Sequence, residues 1–248
     1  MPQYIRKLKF TFLKEGKLKS YLIYAIVEIL LIVIGILLAI SLNTWQNTRN
    51  NRTIENDYIS DLIIDISQDT AYFNTRRIRN IQKKADALNQ AKAYLLGRYT
   101  ISDTLLFLNT VGYGARYSRV VATSNSSTYT ELVSTGNLRI IEDKDIRKEI
   151  ITYYESKDAA TKTIQGSKTG YLDYINALRS FKKDNPNEIS SSDQKRMLKK
   201  LQEDRFYGLI NQELTFADGL KTHFINGLEN GTRLINLLQT YKNKLKSL

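Results

Sequence analysis

Residues 21–42 read YLIYAIVEILLIVIGILLAISL, and this stretch decides how the chain is organised. It contains 22 residues, and Glu28 is the single charged one. Because a helix rises about 1.5 Å per residue, this length reaches roughly 33 Å and exceeds the roughly 30 Å of a bilayer's hydrocarbon core. The stretch therefore predicts one transmembrane helix over residues 21–43.

Basic residues are concentrated on one side of the predicted span. Residues 1–20 contain six Lys and Arg and one Glu, whereas only Arg49 and Arg52 lie as close on the other side. Lys and Arg are enriched in the segments of a membrane protein that stay in the cytoplasm. The sequence therefore predicts a protein of the bacterial inner membrane, with a cytoplasmic N-terminus and a periplasmic domain over residues 44–248.

A cleaved signal peptide is the alternative to a retained anchor. Residues 39–41 (Ala-Ile-Ser) loosely fit a small-residue cleavage site. However, the apolar core of a signal peptide has about 7–15 residues, and the present run is longer. We therefore expect the segment to be retained.

Both borders of the span carry residues that suit a membrane surface. Residues 1–20 form a basic amphipathic segment in which Ile5, Leu8 and Phe12 share one helical face. Such a segment can bind anionic membrane lipid, or it can act only as a positive-inside anchor. Aromatic side chains favour the two interfaces of a bilayer, and we expect this role for Tyr21, Tyr24 and Trp45.

One face of the span combines a carboxylate with small residues. This face contains Glu28, Ile32, Gly35 and Ala39 at helical spacing. Small residues four positions apart let membrane helices approach closely, and a carboxylate in a span usually faces protein or water. We expect self-association through this face, with Glu28 snorkelling, protonated or capping a neighbouring helix. An ion or proton pathway through the oligomer is the functional alternative.

The rest of the chain predicts an all-α fold. Apolar residues recur at steps of three and four, and the chain contains only two Pro, Pro2 and Pro186, which permits long helices. The pattern predicts a long helix from residue 54 to Gly97, a second from Asp143 to about Lys182 and a last one from about Asp204 to Leu245. Long helices with short connections predict an antiparallel bundle.

Shorter helices are predicted from their capping residues. Ser102 can cap a helix over residues 103–111, Ser127 one over residues 128–135, and Ser192 the helix that follows. Asp143 is expected to cap the second long helix, and Gly136 suits a left-handed position after a helix end.

Four aspartates, Asp57, Asp61, Asp65 and Asp69, form a row at i+4 spacing. Like charges at this spacing repel each other, so compensation is expected. The row can pair with Lys or Arg of a facing helix, hold a hard cation, or remain solvated.

Two motifs of the chain resemble a known protein family. The first is YAIVEILLIVIGILLAISLNTW over residues 24–45, and the second is TYTELVSTGNLRIIEDKDIRKEIITYY over residues 128–154. They resemble DUF6090, a family of uncharacterised single-pass membrane proteins of Bacteroidota. Val27 departs from the usual Gly, and Thr44 from the usual Asn. The resemblance extends over about residues 5–155.

This resemblance implies a location and an architecture but no activity. The residues that match the first motif are Tyr24, Ala25, Glu28, Ile29, Ile34, Gly35, Asn43 and Trp45. Those that match the second motif are Arg147, Tyr153 and the six residues named in the next sentence. We expect the second motif to form an interaction segment that contains Tyr129, Glu131, Leu132, Gly136, Asn137 and Leu138.

The sequence contains no motif of a known catalytic site. Cys is absent, and GxSxG, HExxH, CxxC and P-loop patterns are missing. His223 is the only histidine and is expected in packing or at the surface. The basic residues between 76 and 84 lack interleaved aromatics, which argues against nucleic-acid binding. We therefore expect no enzyme, no metal site and no cofactor.

These features favour a membrane-anchored scaffold or accessory subunit that acts through self-association and through an unknown membrane or periplasmic protein. An oligomeric ion or proton channel with Glu28 in its pathway is one alternative. A periplasmic sensor is the other, and it would need a pocket between helices. Because about 20 cytoplasmic residues cannot hold an output domain, such a sensor would signal through a partner.

Overall fold

Helices account for all regular secondary structure in the residues that the computed structural model describes, which are 18–119, 126–180 and 182–246. The predicted all-α fold is confirmed. The basic segment over residues 1–17 and the side chains of Tyr21 and Tyr24 lie outside the described part. The α-helices are α1 (Leu18–Tyr72), α2 (Ile78–Leu95), α3 (Thr104–Tyr113), α4 (Ser127–Ser134), α5 (Lys144–Gly166), α6 (Tyr171–Leu178), α7 (Ser191–Lys200) and α8 (Asp204–Lys246).

The chain divides into two units, Met1–Glu55 and Asn56–Leu248. The first unit contains the apolar part of α1, which includes an 18-residue window of mean hydropathy 3.0 with none of it buried. By length and composition this helix is apolar enough to cross a membrane.

The second unit is a bundle in which α8 is the shared element. It packs against α2, against α5 and against a π-helical turn over Phe73–Arg77 that joins α1 to α2. Helix α8 runs antiparallel to α2 and to the part of α1 that belongs to this unit, because residues earlier in α8 contact residues later in these helices. The contacts that establish this are Lys92 with Asn211, Phe73 with Phe224, and Thr70 beside Gly231.

Two hydrophobic cores stabilise this bundle. The first lies among α2, α3, α6, α7 and the N-terminal half of α8, and it buries Leu88, Phe107, Tyr171 and Phe206. The second lies among α1, α4, α5 and the C-terminal half of α8, and it buries Ile59, Leu62 and Leu132. Each large apolar side chain contributes about 1.5–3 kcal/mol on burial.

The predicted single helix from Asp143 to Lys182 is wrong, because α5 ends at Gly166 and a separate α6 begins at Tyr171. Ser167 leaves the helical conformation with φ −88° and ψ 85°. The break allows Thr169 to turn towards α8 and Tyr171 to enter the first core.

Residues 54–95 are helical as predicted, but the helix begins upstream at Leu18 and is not regular throughout. The π-helical turn widens the helix at Phe73–Arg77, where Phe73 is buried. An ideal Cβ on Gly227 of α8 would lie 3.1 Å from the Phe73 ring, so this glycine permits the close approach.

Several caps are displaced from their predicted positions. Asp103, not Ser102, accepts from the backbone N–H of Leu106, and Ser190, not Ser192, accepts from the N–H of Asp193. Ser127 lies inside α4 and is not its cap. Two predictions are confirmed: Asp143 caps α5, and Gly136 adopts φ 73° after α4.

Candidate functional site

The predicted self-association face lies on the exposed apolar part of α1. Glu28, Ile32 and Ala39 are exposed, and an ideal Cβ on Gly35 would meet no atom within 4 Å. No described residue covers this face. Trp45 is also exposed, and the guanidinium of Arg49 lies 5.9 Å from its ring centroid.

The second family motif packs against α1 within the same chain. The hydroxyl of Tyr58 donates to Glu131 at 2.9 Å and accepts from the side-chain amide of Asn137 at 3.0 Å. Leu132 is fully buried in the second core, and the partly buried Leu138 packs against that core. The Tyr129 ring stacks on Tyr154 with centroids 4.3 Å apart. These contacts give the motif a structural role within the chain.

The row of aspartates is divided between two environments. Asp57 and Asp61 are exposed, whereas Asp65 and Asp69 are buried. Asp69 forms an ion pair with Lys157 of α5, which realises the predicted pairing with a facing helix. Among the described residues, no group of three or more His, Cys, Asp and Glu side chains is arranged to hold a metal ion.

Asp65 acts as the cap that the sequence of α4 lacks. One of its carboxylate oxygens accepts from the backbone N–H of Thr128 and from the hydroxyl of Ser127, both at 3.1 Å. A carboxylate at a helix N-terminus satisfies unpaired N–H groups and interacts favourably with the helix dipole. The helix that begins the second motif is therefore capped by a residue 63 positions earlier.

A fully buried ion pair joins α2 to α8. Lys84 and Glu213 both have side chains with no exposed area. The Lys84 ammonium also donates to the carbonyls of Gly114 and Arg116 at 2.7 Å, and Ser118 donates to Glu213 at 2.6 Å. Burial lowers the pKa of Lys84, and the carboxylate of Glu213 opposes that shift.

The loop after α3 is shaped by this ion pair. The backbone carbonyls of residues 114 and 116 both accept hydrogen bonds from Lys84. The next residue, Tyr117, precedes Ser118 and adopts a left-handed φ of 64°. Such a conformation costs a non-glycine residue about 1–2 kcal/mol. The hydrogen bonds to the buried ammonium offset this cost.

An open groove lies between α5 and α8 beside the ion pair. Its volume is about 570 Å³. Thr169 in its wall donates a hydrogen bond to Oε2 of Glu213, the carboxylate oxygen that does not contact Lys84. The groove is lined mainly by apolar and hydroxyl side chains, including Ile164, Thr215, Phe216 and Leu220.

A smaller cavity of about 190 Å³ adjoins the groove, and the two share Ala160, His223 and Asn226. Lys157 lines the smaller cavity while it pairs with Asp69. Burial lowers the pKa of His223, and the cation of Lys157 lowers it further. His223 is therefore a half-buried wall residue, which lies between the two expected places, packing and the surface.

Sequence reasoning missed Lys84, Glu213 and the groove. A signal was present in both helices, because each charge occupies an apolar position of the helical pattern. Lys84 lies between Ile81 and Leu88, and Glu213 lies between Ile210 and Ala217, at spacings of three and four. Opposite charges at core positions of two helices indicate a buried pair.

The comparison with protein-family models assigns the chain to a family. A family model, described as a family of unknown function (DUF6090), matches residues 28–197. Because the match covers more than half of the chain, the protein belongs to this family. The match extends beyond the two motifs and includes α5, α6 and most of α7. No curated protein and no solved structure matches the chain significantly.

Proposed function

We propose that this protein is a membrane-anchored scaffold or accessory subunit that acts by self-association and by binding another membrane or periplasmic protein. The single observation that carries the proposal is the uncovered face of α1 that contains Glu28, Ile32, Gly35 and Ala39. The distribution of basic residues supports an inner-membrane location with the bundle on the periplasmic side.

The chemistry of this face favours a helix–helix contact over contact with lipid alone. Gly35 and Ala39 allow a second helix to approach closely, and close approach strengthens van der Waals packing. A carboxylate within a span is costly when it faces lipid and is stabilised by a partner that donates to it. A second copy of α1 supplies the small residues for close approach, and its Glu28, when protonated, supplies a donor to the carboxylate of the first copy.

The test is the mass of the full-length protein in mild detergent. We expect Gly35→Leu and Glu28→Leu to reduce the oligomer mass, because they add bulk or remove the carboxylate on the face. Leu37→Phe is the matched control, since Leu37 lies on the opposite side of the helix. A monomeric wild type, or an unaltered mass in both face variants, would overturn the proposal. Liposome flux that is lost in Glu28→Gln would instead support the ion-pathway alternative.

A sensor is the second candidate function, and the groove between α5 and α8 favours it. A periplasmic sensor needs a pocket between helices, and this groove falls within the range of about 300–1,000 Å³ that holds small-molecule ligands. In this case the protein would transmit binding to a partner through α1. Crosslinking of full-length protein in native membranes, followed by identification of the attached proteins, tests whether such a partner exists.

A further inference from the structure

The groove between α5 and α8 has an apolar floor with few polar groups at its edge. Ile164, Phe216 and Leu220 supply the apolar surface. Two hydroxyls in its wall are occupied, since Thr163 donates to the carbonyl of Ala159 and Thr215 donates to an α8 carbonyl, both at 3.0 Å. A ligand therefore meets an apolar surface and a small set of available donors.

The available donors carry positive charge or are neutral amides. Lys168 lines the groove, and among the described residues its ammonium has no ion pair. Gln212 and Asn226 add amide groups at the rim. The lining contains no Asp or Glu, and the nearby carboxylate of Glu213 is neutralised by Lys84. The groove is thus electrostatically complementary to an anion.

Gly219 keeps the floor of the groove open. It lies within α8, and an ideal Cβ at this position would meet no atom within 4 Å. A glycine in a helix interior costs about 1 kcal/mol relative to alanine. No packing contact requires glycine here, and because Gly219 lines the groove, we expect a longer side chain at this position to fill part of it.

We propose that this groove binds a small organic acid, whose apolar body lies on Ile164, Phe216 and Leu220 and whose carboxylate pairs with Lys168. Apolar contact supplies most of the affinity, and the ammonium supplies selection for an anion. The site would provide the input of the sensor described above. It does not depend on self-association, so the two proposals can fail separately.

His223 provides a specific reporter of binding. It is the only histidine of the chain and lines the groove, so isotope-labelled histidine gives one imidazole signal in an NMR spectrum. The experiment uses full-length protein in lipid nanodiscs, purified with a histidine-free tag. Naphthoate is the anionic probe, and naphthamide is its neutral counterpart of the same shape.

We expect naphthoate to shift the His223 signal saturably and naphthamide to bind about fivefold more weakly, which is the effect of one exposed charge pair. Lys168→Gln should remove this difference between the two probes. Gly219→Leu should abolish the shift by filling the groove. Gly208→Leu is the matched control and should bind as wild type does, because Gly208 lies in the same helix with open space at its Cβ but does not line the groove.

Three results would overturn the proposal: no saturable shift with naphthoate, equal binding by Gly219→Leu and wild type, or equal affinity for both probes in the wild type. Because the two probes partition into lipid to different extents, each affinity is referred to the free probe concentration. Partition of one probe affects all variants alike, so the comparison among variants isolates the groove. Sedimentation of the same samples reports the oligomer mass independently of the ligand.

Discussion

The ammonium of Lys84 on α2 forms an ion pair with the carboxylate of Glu213 on α8, and neither side chain has any exposed area. Both charged groups also make hydrogen bonds outside the pair. The ammonium donates to two loop carbonyls, and the carboxylate accepts from Ser118 and Thr169. Removal of two charges from water is costly, and such a pair is stable only when its remaining hydrogen bonds are made. The arrangement therefore fixes α2, α8, the loop after α3 and the segment before α6 relative to one another.

The first prediction concerns this pair. Lys84→Met and Glu213→Leu should each lower the free energy of unfolding by about 3–5 kcal/mol, because each leaves one buried charge without a partner. The double variant should lose less than either single variant. Urea unfolding of the full-length protein in detergent, followed by far-ultraviolet circular dichroism, measures these values. Additive losses in the double variant would contradict the coupling.

The second prediction concerns the cap supplied by Asp65. Asp65→Ala should lower the free energy of unfolding by about 0.5–2 kcal/mol, because the backbone N–H of Thr128 loses its acceptor. Asp61→Ala is the control on the same helix. Since Asp61 is exposed, its removal should change stability by less than about 0.5 kcal/mol. Equal effects of the two substitutions would argue against a capping role.

The third prediction separates two kinds of glycine in α8. An ideal Cβ at Gly231 would lie 2.6 Å from the Cγ2 atom of Thr70, whereas one at Gly208 would meet no atom within 4 Å. Gly231→Ala should therefore destabilise the bundle by about 1–3 kcal/mol through overpacking. Gly208→Ala should stabilise it by about 0.5–1 kcal/mol, since alanine favours a helix. Thermal unfolding of both variants measures the difference in sign.

Local patterns in the sequence predicted the parts of the fold that depend on neighbouring residues. The apolar repeat predicted the last helix from about Asp204 to Leu245, and α8 spans Asp204–Lys246. Gly136 was predicted in the left-handed region from its position after a helix, and it has φ 73°. Both features are decided within a few residues.

Features that depend on distant residues could not be predicted in this way. The acceptor that caps α4 comes from Asp65, and the partner of Lys84 lies 129 residues away. The break after Gly166 also depends on tertiary structure, because Thr169 leaves the helix to reach Glu213. The groove arises from the same break and was therefore missed as well.

The fourth prediction concerns the pH dependence of stability at His223. Burial lowers the pKa of His223 in the folded state, and the positive charge of Lys157 lowers it further. Lys157 itself forms an ion pair with Asp69. Below the ordinary imidazole pKa of about 6.5 the unfolded chain takes up a proton that the folded state resists. Stability should therefore fall as the pH decreases through the interval between the two pKa values.

His223→Gln removes this proton uptake. We expect the difference in unfolding free energy between wild type and variant to be constant above about pH 6.5. Below that pH the wild type should lose stability relative to the variant. Urea unfolding at a series of pH values measures this difference. A difference that is independent of pH would show that His223 has the same proton affinity in both states.

The fifth prediction concerns the orientation of the chain in the membrane. Because the sequence contains no Cys, single cysteines can be introduced without background labelling. Asn236→Cys lies on an exposed position of α8, and Gln3→Cys lies before the apolar stretch. In cells with a permeabilised outer membrane, a membrane-impermeant maleimide should label Asn236→Cys at once and Gln3→Cys only after lysis. The reverse order would contradict a periplasmic bundle, and loss of the N-terminal label from the mature protein would indicate a cleaved signal peptide.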